Sequence, residues 1–561
     1  MSHLRHREGV WKAMVNRTKL AVLAAAGAIA ATKLRTRLRL SAAKHPSLGG
    51  HVRLAKRIAG QIAGYTHPEA RFFTADGADA TVAQRRRDGL RALSGLYAAR
   101  FPKTLALTAQ TRPGLSDLQF TGRYRVPFAF SAVVHDKLPV GAFLQSSDGA
   151  WLIDLDGNRL IDLTGSYGVN LFGNDLYKAT LREALETAGP LGGVLGSYHP
   201  VVASNVERLR ALSGLDEISF HMSGTEAVMQ AVRLARYHTG RRRLVRFAGA
   251  YHGWWGDVQP GIGNPVPADH TLTLADMSER TLAVLATRTD IACVLVNPLQ
   301  ALHPNRGAPS DGQLVDSART AGADWDAYAA WLRRLAQVCR DAGIVLIMDE
   351  VFMGFRLSPG SVARTIGVDA DMIVWGKTLG GGLPIGVLAG RAALMKRFRE
   401  ERPVDICFAR GTFNAHPYVM AATDAFLRRL ETPAIRALYD GLGDRWNARA
   451  ARLNARLAAA RLPVQVAHLS TVWTVLYTRP SRYNWMLQYY LRAEGLALSW
   501  VGTGRLIFSL DIDDALFDAI VDRFVAAAAA MQRDGWWDGP AVSDKALRRQ
   551  ALKETVRARF F

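Results

Sequence analysis

Four short stretches of this chain bring together residue types that do chemistry. The first is Gly343-Ile344-Val345-Leu346-Ile347-Met348-Asp349-Glu350-Val351, an apolar run ending in two carboxylates. In open α/β sheets ligands bind outside the carboxyl ends of the strands, so an acid placed there is positioned to meet one. The second is Met372-Ile373-Val374-Trp375-Gly376-Lys377-Thr378, with Gly380-Gly381-Gly382 just beyond. A lysine at the end of a buried strand is partly desolvated, which lowers its pKa and leaves its amine nucleophilic. The third, Ser223-Gly224-Thr225-Glu226, opens a predicted helix over Val228–Tyr237. Hydroxyls and free amides at the positive end of a helix dipole form an anion site. The fourth, Phe247-Ala248-Gly249-Ala250-Tyr251-His252-Gly253, sets an aromatic ring just past a strand. Taken singly, each has a plainer reading: a polar strand cap, a surface lysine, an ordinary serine N-cap, core packing.

Together they describe one binding site. A lysine for a Schiff base, a carboxylate for a pyridinium nitrogen, a phosphate cradle and an aromatic plate are what pyridoxal 5'-phosphate requires. The carboxylate keeps the ring nitrogen protonated, and the lysine moves the proton.

The elements that must position these residues are legible as patterns. Short runs at Leu244–Phe247, Ala292–Val296, Ile344–Met348 and Met372–Trp375 alternate with helical stretches, the mark of a sheet buried on both faces. Earlier, Trp151–Asp154 and Leu160–Leu163 flank Asp156-Gly157-Asn158, a hairpin signal. Loops are expected at Pro260–Asp269 and His303–Gly312. Helix dominates Pro417–Leu457, and an α+β unit follows, with Val464–Leu476, Arg505–Leu510 and a helix over Ala515–Met531.

In order and spacing, these motifs resemble class III aminotransferases, most closely the glutamate-1-semialdehyde aminomutase branch. The resemblance spans about residues 120–515 and includes Asp154-Leu155-Asp156-Gly157-Asn158-Arg159, Gly165-Ser166-Tyr167-Gly168, Gly354-Phe355-Arg356 and Gly411-Thr412-Phe413. It implies an α/β chain of PLP-dependent transferase fold type I: a large domain with a mixed seven-stranded sheet covered by helices and a smaller α+β C-terminal domain. By the same resemblance Lys377 forms the Schiff base and serves as acid and base in a 1,3-proton shift, and Asp349 pairs with the ring nitrogen. Tyr251 and Val351 cover the two ring faces, with His252 beside them. Ser223, Gly224 and Thr225 hold the phosphate, joined by Thr412 from a second subunit of a homodimer. Ser166 and Tyr167 line the substrate pocket.

Several positions depart from the aminomutase pattern. Asn297 stands where Val-Glu-Pro is common, and Phe352-Met353 follow the Asp-Glu-Val triplet. Val126-Pro127-Phe128-Ala129 offers no arginine for substrate, Trp254-Trp255-Gly256-Asp257 replaces a long glycine-rich loop, and Gly502-Thr503-Gly504-Arg505 stands where a glutamate contacts substrate. The expected activity is therefore transfer of an amino group between a small-molecule donor and an aldehyde or keto acceptor. Intramolecular aminomutation is the alternative. A binding protein with a vestigial enzyme core is disfavoured by intact Lys377, Asp349 and Ser223–Thr225.

The 561 residues carry a formal charge of +22, and the first hundred contribute 19 Lys/Arg against 5 Asp/Glu. A basic arm favours acidic partners, here a carrier protein or an anionic membrane surface; no nucleic-acid motif accompanies it. The run Leu20–Ala31 is too short to span a bilayer and is followed at once by Lys33, Arg35, Arg37 and Arg39, which fits a surface helix better than an export leader. Three scattered cysteines make neither a disulfide framework nor a metal cluster and fit a cytoplasmic protein, peripherally membrane-associated at most. The expected units are a basic helical extension (1–115), a segment shared by small domain and site (116–190), a large cofactor domain (191–425), a small α+β domain (426–535) and a basic tail (536–561).

Overall fold

Apolar, β-branched runs build the central sheet. The computed structural model describes residues 2–123, 126–266, 269–302, 317, 324–499 and 504–560; the expected loop at His303–Gly312 lies outside them. A small N-terminal ribbon comes first: β1 (Leu144–Asp148), β2 (Trp151–Asp154) and β3 (Arg159–Asp162), the last two joined at the expected hairpin. The central sheet comprises β4 (Glu217–His221), β5 (Arg243–Phe247), β6 (Thr271–Leu274), β7 (Ile291–Val296), β8 (Val345–Asp349), β9 (Met372–Gly376) and β10 (Gly386–Gly390). Its order is β4-β10-β9-β8-β7-β5-β6, and only β10 runs antiparallel to its neighbours. This is a mixed seven-stranded sheet, as expected. β7, β8 and β9 are buried at every position, because helices cover both faces.

Helix ends follow from capping. The helix α4 (Gly224–Thr239) begins at Ser223, whose Oγ accepts from the Glu226 amide, while Glu226 Oε2 accepts from the Met222 amide at 2.9 Å. This is a variant of the capping box in which Glu226 reaches the amide one residue before the cap. The same helix ends at Gly240 in the left-handed conformation. Helix α5 (Trp325–Asp341) lies between β7 and β8 and presents Tyr328, Trp331, Leu332 and Leu335 to the core. The stretch expected to be mainly helical resolves into α6 (Pro417–Leu430), a short turn of helix and α7 (Leu442–Ala459). A hairpin of β11 (Val464–Leu469) and β12 (Val472–Tyr477) then pairs with β13 (Arg505–Ile507), and α8 (Asp514–Arg533) packs over it.

Within the stretch expected as a basic extension (1–115), two parts differ in burial. Helix α1 (Ser2–Ala43) is exposed along Lys19–Arg39, whereas the chain from Tyr65 to Leu138 belongs to the same apolar core as the C-terminal unit. Phe72, Phe130, Tyr483, Trp485 and Trp536 form one aromatic cluster; Phe130 and Trp485 have centroids 5.4 Å apart, Tyr483 and Trp536 5.2 Å apart. Arg86, from helix α3 (Ala80–Arg100), is fully buried beneath it, 4.4 Å from the Tyr483 ring centroid and paired with Asp76 at 2.7 Å. The C-terminal helix α9 (Asp544–Phe560) is tied to this body through Glu554, which accepts from Arg482 at 2.6 Å, Arg71 at 2.8 Å and Tyr65 at 3.0 Å.

Burial pushes the Glu554 carboxyl up, but the hydrogen bond and charge of Arg482 outweigh it and hold the group below its ordinary value. A depressed carboxyl contributes stability above its unfolded pKa and loses it as pH falls through the lower folded value. Glu554→Gln is therefore expected to cost about 3 kcal/mol at neutral pH. The gap from the parent should close as pH drops below about 4, as read from denaturant midpoints.

Candidate active site

Strand register puts the two chemically central residues side by side. Asp349, the last residue of β8, lies opposite Val374 on β9, and the Glu350 amide donates to the Val374 carbonyl at 2.9 Å. Lys377 follows β9 directly. Glu350 braces both strand ends. Its buried carboxylate accepts from Ser361 Oγ, the Val362 and Ala363 amides, and Trp375 Nε1 at 3.0 Å. Burial still pushes its pKa up against those four donors.

Asp349 is buried. His252 Nδ1 lies 2.7 Å from its Oδ2, and the Val351 amide donates to its Oδ1 at 3.1 Å. Against a carboxylate, Nδ1 carries the proton. The other ring nitrogen, Nε2, is buried with no partner among the described residues. Burial is the largest influence on His252 and lowers its pKa, against the opposing pull of Asp349. Tyr251, half-exposed beside this pair, has a raised pKa, from burial first and the Asp349 charge second. Its carbonyl accepts from Asn297 Nδ2 at 3.2 Å, so the residue that replaces the familiar glutamate fixes the backbone at Tyr251.

Lys377 has φ 48, a left-handed conformation rare for a residue with a side chain and characteristic of functional sites. Its pKa is lowered, by burial above all; the Asp349 charge opposes this, and Arg356 and Arg505 reinforce it. Phe352 lies under the amine, with Nζ 5.6 Å from the ring centroid. Ser166 and Tyr167, at φ 45 and 57, form a second strained turn. That turn is held by Thr164, whose Oγ1 accepts from the Ser166 amide at 3.0 Å. It adjoins Lys377: a methyl on neighbouring Gly168 would come within 2.8 Å of Phe352 and 3.0 Å of Lys377 Cδ.

At the start of α4, the Gly224 and Thr225 amides have no hydrogen-bond partner among the described residues. Gly224 packs against Val351: a methyl on it would stand 2.8 Å from Val351 Cγ1. Gly253 (φ 95) leaves no room for a side chain beside Thr225, whose Oγ1 would be 2.4 Å from an added methyl. The structure thus brings Ser223, Gly224, Thr225, Tyr251, His252, Asp349, Val351, Ser166, Tyr167 and Lys377 to one end of the sheet. Thr412 is the exception. It stands in an exposed turn with Gly411 and Phe413 and hydrogen-bonds none of the others.

Three contributors have no role in the sequence reading. Glu350 was legible only as the second acid of a strand cap. Phe352 was legible only as a departure from a polar pattern. Arg505 is the most informative. It begins β13, burial lowers its pKa, and no carboxylate pairs with it among the described residues. A lone arginine opening the apolar run Leu506-Ile507-Phe508 was the available signal.

The residues present fit a flat, phosphorylated pyridine aldehyde. Two free amides face an anion position, Asp349 is buried with few donors, and a desolvated lysine adjoins it.

Comparison with known proteins agrees. The family described as aminotransferase class-III matches residues 131–528. Glutamate-1-semialdehyde 2,1-aminomutase of Nitratidesulfovibrio vulgaris is 33% identical over 323 residues, covering 53% of this chain and 73% of that protein. The Desulfotalea psychrophila aminomutase is 31% identical over 377 residues, covering 63% and 80%. Among solved structures, an omega-transaminase from Sphaerobacter thermophilus superposes with TM-score 0.59 at 25% identity, over 75% of this chain and 99% of that one. A Pseudomonas aeruginosa glutamate-1-semialdehyde aminomutase shares the fold, with TM-score 0.64 at 18% identity, over 80% and 99%. The chain belongs to the class III aminotransferase family. It is accordingly a pyridoxal 5'-phosphate-dependent enzyme of amino-group transfer, with the fold type I architecture expected of it.

Gly253→Ala should weaken cofactor retention at least about tenfold, because the methyl displaces Thr225 from the anion position. Gly256→Ala, where the nearest atom is 3.4 Å from an added methyl, should leave retention unchanged. Dialysis followed by the visible cofactor absorbance measures both.

Proposed function

We propose that this enzyme is an intermolecular aminotransferase, acting between an amino donor and an aldehyde or keto acceptor, at least one of which carries an anionic group. The observation that carries the anionic part is Arg505: a half-buried guanidinium with no carboxylate partner among the described residues, close enough to Lys377 to lower its proton affinity. An anion bound there is desolvated on one side and paired on the other, as guanidinium–carboxylate pairs require.

When bound, pyridoxal phosphate supplies an aldehyde that captures an amino group and a ring that accepts the electrons of a breaking C–H bond. Everything else falls to the chain. Ser223 Oγ and the Gly224 and Thr225 amides would bind the phosphate at the positive end of α4, completed by Thr412 of the partner subunit in a homodimer. Tyr251 would cover one ring face and Val351 the other. Asp349, held by His252, would keep a proton on the ring nitrogen. Lys377 Nζ, poised towards its neutral form by burial and two arginines, would take the proton from the carbon on one side of the transferred nitrogen and return it to the carbon on the other side. Ser166 and Tyr167 would border the substrate.

The sequence Trp254-Trp255-Gly256-Asp257, standing where the aminomutase pattern has a glycine-rich stretch, supports release of a keto product between half-reactions. The aminomutase reading stands as the alternative, supported by the names of the similar proteins.

Lys377→Ala is expected to keep the cofactor non-covalently and lose at least about 10²-fold in turnover, the scale of one acid–base group. Asp349→Asn should lose comparably while its melting temperature changes little. With a ¹⁵N-labelled donor and unlabelled acceptor, the label should appear in the product of the acceptor, with ping-pong kinetics. Isomerisation of a single carbon skeleton with no label crossing would replace the transferase reading by the aminomutase one.

A further inference from the structure

We propose that α1, helix α2 (Val52–Ala59) and α9 together form a docking face for an anionic lipid bilayer, on which the enzyme lies without spanning it. The proposal is independent of the substrate reading. Of the acidic partners that the charge admits, the arrangement of apolar side chains selects lipid.

The charge comes first. Between Glu8 and Glu69 the chain has no acidic residue, yet it carries eleven lysines and arginines. Among the described residues no carboxylate pairs with Lys33, Arg35, Arg37 or Arg39 on α1, or with Arg57 on α2. Such a surface is drawn to anionic headgroups.

The second observation is an inverted helix. α2 buries Ala55 and turns Leu54 and Ile58 to solvent, with Ile62 one further turn along and also exposed. Apolar residues four apart on a short helix normally face the core. α9 repeats the pattern with Leu552, Val556 and Phe560, exposed by 64%, 46% and 69%. The two stripes are neighbours. Arg559 donates to the Gln61 carbonyl at 2.7 Å, and Tyr65 and Arg71 both hold Glu554 of α9. Lys553 and Arg557 flank the α9 stripe with no carboxylate partner among the described residues. Lys56 extends the patch by donating to the Asn264 carbonyl, beside exposed Ile262 and Val266.

The third observation is α1 itself. Leu20–Ala31 is uncharged on every side, with Leu20, Leu23 and Ile29 exposed, and basic residues flank it at both ends. Among the described residues no helix is long and apolar enough to cross a membrane. Exposed apolar side chains bounded by cations, in a segment too short to span, suit the headgroup region, where cations meet lipid phosphates and apolar groups reach the acyl boundary. An acidic protein would satisfy the cations alone and leave six neighbouring apolar side chains in water.

The test is flotation of full-length holoenzyme with phosphatidylcholine vesicles, with and without about one-third phosphatidylglycerol, at low and high salt. The expected result is at least about tenfold more protein on anionic vesicles at low salt. Two variants follow: deletion of residues 2–40, and a charge-preserving variant with Leu54→Ser, Ile58→Ser, Leu552→Ser and Phe560→Ser. Each should lose most of the binding while keeping cofactor absorbance and activity on soluble substrates. Equal binding to neutral and anionic vesicles overturns the proposal. So does undiminished binding by the serine variant, which would reduce the effect to adsorption by charge. A serine variant that turns from dimer to monomer would assign the face to a second copy of the chain instead.

Discussion

A buried negative charge organises the site. Asp349 sits at the end of a strand buried along its whole length, with one histidine and one backbone amide as its hydrogen-bond donors among the described residues. An ionised carboxylate in such a place is costly unless a cation compensates it. His252 fixes its position without cancelling its charge, because burial holds the imidazole towards neutrality. The protonated nitrogen of a pyridine ring would be such a cation, the partner proposed for Asp349. The lysine nearby is pushed the other way, towards a free amine, by burial and by Arg356 and Arg505. The proposed roles of Asp349 and Lys377 would thus be separated by environment over a few residues of two adjacent strands.

The sheet makes that separation possible. β8 and β9 run parallel, so both deliver their chemistry at the same edge, and Glu350 bonds to Trp375 on the neighbouring strand. The same edge receives the first turn of α4, with its unsatisfied amides, and the left-handed turn at Ser166-Tyr167. Strain at Lys377, Ser166 and Tyr167 is concentrated where one residue must leave a strand or turn at a fixed angle. The rigid, fully buried strands behind them hold it in place.

Much of this was written locally in the chain. The β7, β8 and β9 strands were legible because burial on both faces leaves continuous apolar runs, and Lys377 was legible because a charge ends one of them. Strand β10 was not: Gly386-Val387-Leu388-Ala389-Gly390 is short and bounded by glycines, and its antiparallel insertion between β4 and β9 is a long-range choice. Nor was the packing of residues 65–138. Phe72, Phe130 and Arg86 meet Tyr483, Trp485 and Trp536 across some four hundred residues, and no local period records that. Arg505 escaped for a related reason: its meaning lies in having no carboxylate partner among the described residues, which only the folded chain reveals. The solvent-facing apolar residues of α2 and α9 escaped too, because which side of a helix meets solvent is decided by tertiary packing.

The central claim is that Lys377 is the residue that binds the cofactor aldehyde, next to Asp349. The most direct measurement is reduction of the holoenzyme with borohydride, which fixes the pyridoxyl group to its lysine, followed by peptide mass mapping. The account predicts one modified peptide, with the added mass on Lys377. Recovery of the label on any other lysine would contradict it.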